Sequence, residues 1–171
     1  MIKTVCFSGL RTQKLPWKAD KNDLQCIKLK ELLRERILYM ILDNGISHFI
    51  SGMARGVDTY AAEIVLELKK TYPITLECAL PCMEQAGIWE EEDRIRYFSI
   101  IGWADHQTMI EKHYTIDCFE KRNRYMVMKS DIVLAVWDGQ AGGTANTIHY
   151  AREAGKPILI IDPTTLREYK Y

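Results

Sequence analysis

Eight consecutive residues, Ser51-Gly52-Met53-Ala54-Arg55-Gly56-Val57-Asp58, combine the groups needed to hold an anion. An apolar run, Ile46 to Ile50, enters the segment, and a stretch with helical spacing, Val57 to Lys70, leaves it. A helix that starts after a tight turn presents free backbone N–H groups, and its dipole adds roughly half a positive charge there. Gly52 and Gly56 are expected to let a phosphate approach the backbone, because glycine carries no Cβ. Arg55 adds a forked donor; Asp58 can cap the helix or accept from a ribose hydroxyl. The same residues also fit a plain strand-to-helix bend whose glycines serve only the turn.

Two further segments repeat the arrangement. Ser8-Gly9-Leu10-Arg11 follows a strand-like run, Ile2 to Phe7, and Arg11 is placed to reach a phosphate. Asp138-Gly139-Gln140-Ala141-Gly142-Gly143-Thr144 follows the strongly apolar run Asp131 to Trp137 and precedes a helical stretch, Ala145 to Ala154. In an open α/β sheet the carboxyl ends of parallel strands lie along one rim, where ligands collect. Three glycine-bearing loops, each leaving such an end, predict one crevice for a nucleotide or phosphate.

The elements that must position these loops are legible in the hydrophobic pattern. Asp20 to Asn44 has helical periodicity, with Leu29, Leu33, Ile37, Met40 and Ile41 on one stripe, a cap at Asp20 or Asn22 and a stop at Asn44-Gly45. Ala61, Ile64, Val65 and Leu68 turn the second helix inward. Ile74 to Leu80 reads as a third strand interrupted by Glu77, followed by a loop from Pro81 to Trp89. Gln85 and Trp89 share a face if that loop begins a helix. The acidic run Glu90 to Asp93 reads as a solvated helix start, continued to Ile101. Ala104 to Ile110 is a short fourth strand, Thr115 to Lys129 a helix, Ile158 to Ile161 a sixth strand, and the segment after Asp162 a polar tail. Alternating strands and helices specify an α/β fold, a parallel sheet with helices on both faces, in one domain spanning residues 1–171.

Composition narrows the function. Lys plus Arg and Asp plus Glu each number 23, so the formal net charge is zero, against the basic surplus of a broad nucleic-acid footprint. The five cysteines have scattered spacing, which suggests neither a disulfide framework nor a metal site; they read as small buried hydrophobes in a reducing cytosol. No apolar stretch approaches a membrane span, and a cytoplasmic protein is expected. His106 and His113 read as structural, Trp17 as a lid on apolar surface, and Tyr169 and Tyr171 as a hint of a contact surface in a homo-oligomer.

SGMARGVD resembles the SGxARGxD signature of the DNA-processing DprA (Smf) proteins. The segment RNRYMVMKSDIVLAVWDGQAGGTANTIHYARE resembles the same family's RNR, following strand and glycine-threonine loop. Both point to the SLOG superfamily, which also holds the cytokinin-activating LOG enzymes. GLRTQKLP and the spacing Pro81, Gln85, Trp89 are similar to the small stand-alone YpsA-like branch, although Leu10 replaces a histidine and Thr12 a proline of its pattern. A role that needs that imidazole is therefore not expected of this chain. The resemblance covers nearly the whole chain and implies a Rossmann-like three-layer sandwich that binds a nucleotide-derived ligand. Carried over, the ligand site comprises Ser8, Gly9, Arg11, Ser51, Gly52, Arg55, Gly56, Asp58, Gln85, Trp89, Arg122, Asn123, Gly142, Gly143 and Thr144.

Three functions follow as expectations. The first is a binding or sensing module for a nucleotide, nucleotide sugar or ADP-ribose-like molecule, with Trp89 or another aromatic stacking on the base and no cofactor. The second is a LOG-like N-glycosidic hydrolase. LOG enzymes carry a glutamate three residues after the loop threonine, where this chain has Thr147, so Glu63, Glu84 or Glu120 would have to substitute. The third is DprA-like binding of single-stranded DNA through Arg55, Arg122 and Arg124.

Overall fold

The computed structural model describes residues 3–171, so Ile2 of the first expected strand lies outside the described residues. Seven strands form one sheet in the order β4-β3-β2-β1-β5-β6-β7. They are β1 Lys3–Gly9, β2 Ile46–Ser51, β3 Thr75–Leu80, β4 His106–Met109, β5 Ile132–Val136, β6 Ile158–Ile161 and β7 Glu168–Lys170. All neighbouring pairs are parallel except β6–β7. The helices are α1 Leu24–Asn44, α2 Val57–Leu68, α3 Glu91–Trp103, α4 Cys118–Lys129 and α5 Gly143–Glu153. The result is a Rossmann-like three-layer α/β sandwich, with α1, α2 and α3 on one face and α4 and α5 on the other.

Strand alternation divides the core between those faces. Val5 and Phe7 of β1 and Leu134 and Val136 of β5 pack under α1–α3. Cys6 of β1 and Val133 and Ala135 of β5 pack under α4 and α5. From β1 the chain steps outward through β2, β3 and β4, then returns to place β5 on the other side of β1. The gap between the carboxyl ends of β1 and β5 is therefore the point where the winding reverses, which in open α/β sheets is a ligand position.

Several expectations are corrected. Asp23, not Asp20 or Asn22, caps α1: its carboxylate accepts from the Gln25 and Cys26 amides at 2.7 and 3.4 Å. Residues 82–89 form successive turns rather than a helix start, so Gln85 and Trp89 are not held four apart on a helical face. The polar tail contains β7, an exposed edge strand whose pairing with β6 supplies order that its local pattern does not advertise. Glu77 interrupts β3 without leaving a buried charge unmet: it accepts from His48 Nε2 at 3.0 Å and from the Thr108 and Tyr125 hydroxyls, each at 2.7 Å. Those bonds pull its carboxyl down to about 2, outweighing the cost of burial.

Candidate functional site

A crevice of about 290 Å³ opens between the ends of β1 and β5. Ser8, Gly9, Leu10 and Arg11 form one wall, and residues 140–145 form the opposite one. Asp58 from α2 and Phe119, Arg122, Asn123 and Met126 from α4 form its floor and side. Nine of the fifteen residues expected to bind ligand thus share one cavity: Ser8, Gly9, Arg11, Asp58, Arg122, Asn123, Gly142, Gly143 and Thr144.

Asp58 is 4% exposed. Its Oδ2 accepts from the Ala54 amide at 3.3 Å, while Oδ1 has no hydrogen-bond partner among the described residues. Burial pushes the carboxyl up to about 6, against the opposing pull of Arg122, the Ala54 amide, Arg11 and the nearby Gly9 amide, which lies outside hydrogen-bond geometry. Arg122, also 4% exposed, donates through Nε to Asn123 Oδ1 at 2.9 Å and through Nη1 to the Gly52 carbonyl. Burial disfavours its charge, and Asp58 is the first influence restoring it. Phe119 lies beside two of the guanidinium groups, its ring centre 5.3 Å from the Arg11 guanidinium carbon and 5.9 Å from that of Arg122.

α5 starts at Gly143 with no side chain capping its first-turn amides, and those of residues 143–145 border the crevice. Lys14 reaches across from the 3₁₀ turn Thr12–Lys14 and donates to the Ala141 carbonyl at 3.2 Å. The cavity therefore gathers Arg11, Lys14 and Arg122, a helix N-terminus, and one carboxylate with a free acceptor oxygen. That set can neutralise a phosphate at one end and take a hydroxyl or amine proton at the other.

The segment Ser51–Asp58 behaves otherwise than expected. The room beside Gly52 is taken by the Arg122 guanidinium, which a Cβ there would strike. Gly56, at φ 103°, faces backbone: a Cβ would come within 2.6 Å of the Leu10 carbonyl oxygen and 2.9 Å of the Thr12 nitrogen. Val57 donates to that Leu10 carbonyl at 3.3 Å, and Thr12 donates to the Arg55 carbonyl at 3.2 Å. Neither glycine offers a phosphate access to the backbone, because the chain itself occupies both positions. Ser51 is fully buried, its hydroxyl donating to the Asp58 carbonyl and accepting from the Met53 amide.

Arg55, Gln85 and Trp89 border a smaller adjoining recess of about 40 Å³. Arg55 pairs with Asp93 at 3.6 Å and lies over the Trp89 ring. Gln85 donates to the Gly52 carbonyl at 3.0 Å and accepts from the Tyr97 hydroxyl at 3.2 Å, which makes it a brace for the turn. The three acids nominated to replace the LOG glutamate stand outside the crevice. Glu63 pairs with Arg96, Glu84 with His113 and Glu120 with Arg124. Thr147, at that glutamate's position, donates its hydroxyl to the Gly143 carbonyl at 3.0 Å. Leu10 contributes no imidazole, and the cavity's lining holds no histidine.

Lys14, Phe119 and Gln140 also line the crevice and were not singled out from sequence. Lys14 lies within GLRTQKLP, whose similarity to the YpsA-like pattern was the available signal. Phe119 and Gln140 carried none of their own.

Fold and crevice together define a class: Rossmann-like three-layer α/β domains with a crevice at the sheet's reversal point. Two solved structures share the fold. DNA processing protein A (DprA) from Streptococcus pneumoniae matches with a TM-score of 0.62 at 15% identity, over 94% of this chain and 50% of that one. DprA from Helicobacter pylori, whose structure describes a single-stranded DNA binding mode, matches with a TM-score of 0.63 at 20% identity, over 94% of this chain and 65% of that one. The chain thus spans half to two-thirds of those DprA chains, and at such identities the likeness is one of fold.

The family follows from a closer match. The chain belongs to the YpsA family, described as YspA SLOG family, whose model matches residues 5–166. A UPF0398 protein of Bacillus cereus is 32% identical over 151 residues, covering 86% of this chain and 80% of its own length. A UPF0398 protein of Bacillus thuringiensis is 32% identical over 159 residues, covering 91% and 83%.

Proposed function

We propose that this chain binds a phosphorylated, ribose-bearing small molecule, such as a nucleotide or an ADP-ribose-like compound, in the crevice between β1 and β5. One observation carries the reading. A buried carboxylate with an unpartnered oxygen shares its cavity with an uncapped helix N-terminus and three cations. An unmet buried acceptor is costly, and a ligand donor would relieve that cost. The phosphate lies against the first turn of α5, near Arg11 and Lys14, and a sugar hydroxyl donates to Asp58 Oδ1.

The test is calorimetric titration of the purified chain with a panel of nucleotides, nucleotide sugars and ADP-ribose. At least one compound should bind, and Gly143→Trp, which fills the crevice, should abolish its binding. Asp58→Asn should weaken the same compound by roughly tenfold, the scale of one lost hydrogen bond to a charged group. No binding across the panel rejects the reading.

A second reading, contact with single-stranded DNA, draws on the fold likeness to DprA and on the same cations. It would place a backbone phosphate at α5. It requires an affinity for an oligonucleotide that falls steeply with salt, and absence of binding near ~50 mM salt rejects it.

A further inference from the structure

The crevice contains more positive charge than its own carboxylate balances. Arg122 is the cation that Asp58 most directly supports. Arg11 lies over the Phe119 ring and forms no salt bridge among the described residues. Lys14 has its ammonium on the neutral Ala141 carbonyl at 3.2 Å, and it stands 2.9 Å from where a Cβ on Gly142 would be. Both border the uncapped start of α5. Asp58 Oδ1, buried and unpartnered, is the independent sign that the same cavity takes a ligand.

A carbonyl is a weaker partner for an ammonium than a phosphate oxygen. Lys14 rides on a single 3₁₀ turn, so its flexible stem can exchange one for the other without moving β1 or α5. A phosphate monoester presents three terminal oxygens and, above its second ionisation near pH ~6, close to two negative charges. It can accept from the α5 amides, Arg11 and Lys14 together. A phosphodiester has two terminal oxygens and one charge, and leaves one cation unmet.

We propose that Lys14 is a specificity-determining residue that, together with Arg11, selects ligands ending in a phosphate monoester over those joined through a phosphodiester. The proposal rests on the reading that the crevice binds a phosphorylated ribose compound. It narrows that reading to compounds ending in a phosphate monoester, such as a nucleoside monophosphate, over ADP-ribose-like ones, and it names a residue from the β1–α1 connection.

The experiment is calorimetric titration of the full chain at pH 8 and constant salt with two probes, ribose 5-phosphate and its methyl phosphodiester. The monoester should bind roughly tenfold tighter, the scale of one added charge-assisted hydrogen bond. Lys14→Gln should weaken the monoester several-fold more than the diester and so remove most of that preference, and Lys14→Arg should retain it. The preference should shrink below pH ~6, as the monoester takes up its second proton. Equal affinities in the unmodified chain, or a Lys14→Gln variant that weakens both probes alike, would overturn the proposal and leave the phosphate reading standing. Binding of neither probe would overturn both.

Discussion

Between β2 and α2, the space beside Gly52 holds the Arg122 guanidinium and the space beside Gly56 holds the Leu10 carbonyl. Between β5 and α5, a Cβ on Gly143 would meet nothing nearer than the Asn123 amide nitrogen at 3.9 Å. Both turns join a buried strand to a helix through glycine, and both begin the helix without a side-chain cap. They differ in what the rest of the chain delivers to them. The β2–α2 turn receives Leu10, Thr12, Gln85 and Arg122, and its Val57 amide is already bonded. The β5–α5 turn bonds the Ile161 carbonyl at its start, and near the helix it receives the Lys14 ammonium, a donor bonded to a carbonyl. A helix N-terminus becomes an anion site only where its donors stay free. On the proposed reading the more motif-like of the two turns is the structural one, and it holds Asp58 and Arg122 beside the crevice that the other borders.

The largest test of this contrast is steric. Gly52→Val would drive Arg122 from its place, break its bond to the Gly52 carbonyl and separate it from Asp58. Leaving a buried guanidinium without its carbonyl acceptor costs about 3 kcal/mol or more, so this variant should lose much of its stability or fail to fold. Gly143→Ala adds a methyl at the first helical position, where nothing crowds it, and should change stability by less than about 1 kcal/mol. Urea denaturation of the two variants side by side decides the matter. Equal losses would mean that the turns are built alike.

A test of intermediate size uses pH and the two buried acids. The folded-state value of Asp58, about 6, lies above its ordinary 3.8. The folded chain therefore holds that proton more tightly, and the contribution to stability is fully present below pH 3.8 and lost as pH rises through about 6. Relative to Asp58→Asn, the unmodified chain should lose on the order of 3 kcal/mol across that window. Glu77 has the opposite sign. Its value of about 2 lies below its ordinary 4.5, so its contribution is present above pH 4.5 and lost as pH falls toward 2. Denaturation at several pH values should show the difference from Asp58→Asn sloping one way and the difference from Glu77→Gln sloping the other. Parallel slopes would show that Asp58 is as well satisfied as Glu77, and would remove the argument that it awaits a donor.

The sequence carried the architecture because strand and helix periodicities are local. Leu29, Leu33, Ile37, Met40 and Ile41 fall on one stripe at helical spacing; the first four are buried in α1 and Ile41 is half-buried. Of the three glycine-bearing loops at strand ends, those after β1 and β5 bring their glycines to the crevice, and that after β2 does not. What stayed illegible depends on partners far along the chain. Gly52 reads as room for a ligand until Arg122, 70 residues later, is seen to fill it. Lys14 carries no pattern of its own, and its relevance lies in a contact with Ala141, 127 residues away. β7 is three residues long and mostly exposed, so neither hydrophobic alternation nor length marks it; pairing with β6 does.

The smallest effect is the most discriminating, because Ser51 was expected to touch ligand and instead ties the β2–α2 turn together. Its hydroxyl donates to the Asp58 carbonyl at 2.8 Å and accepts from the Met53 amide at 3.2 Å, with no surface exposed. Ser51→Ala leaves the Met53 amide and the Asp58 carbonyl each without that partner, a loss of about 1–2 kcal/mol in denaturant. Affinity for whichever compound the nucleotide panel identifies should stay within about twofold, because Ser51 contributes no atom to the crevice and Asp58 Oδ2 keeps its own bond to Ala54. Thr144→Ala reverses the pattern. Thr144 lines the crevice in the first turn of α5, so its loss should weaken binding more than it weakens the fold. If Ser51→Ala costs affinity and Thr144→Ala does not, the β2–α2 turn is the ligand's anchor after all, and the roles assigned to the two turns must be exchanged.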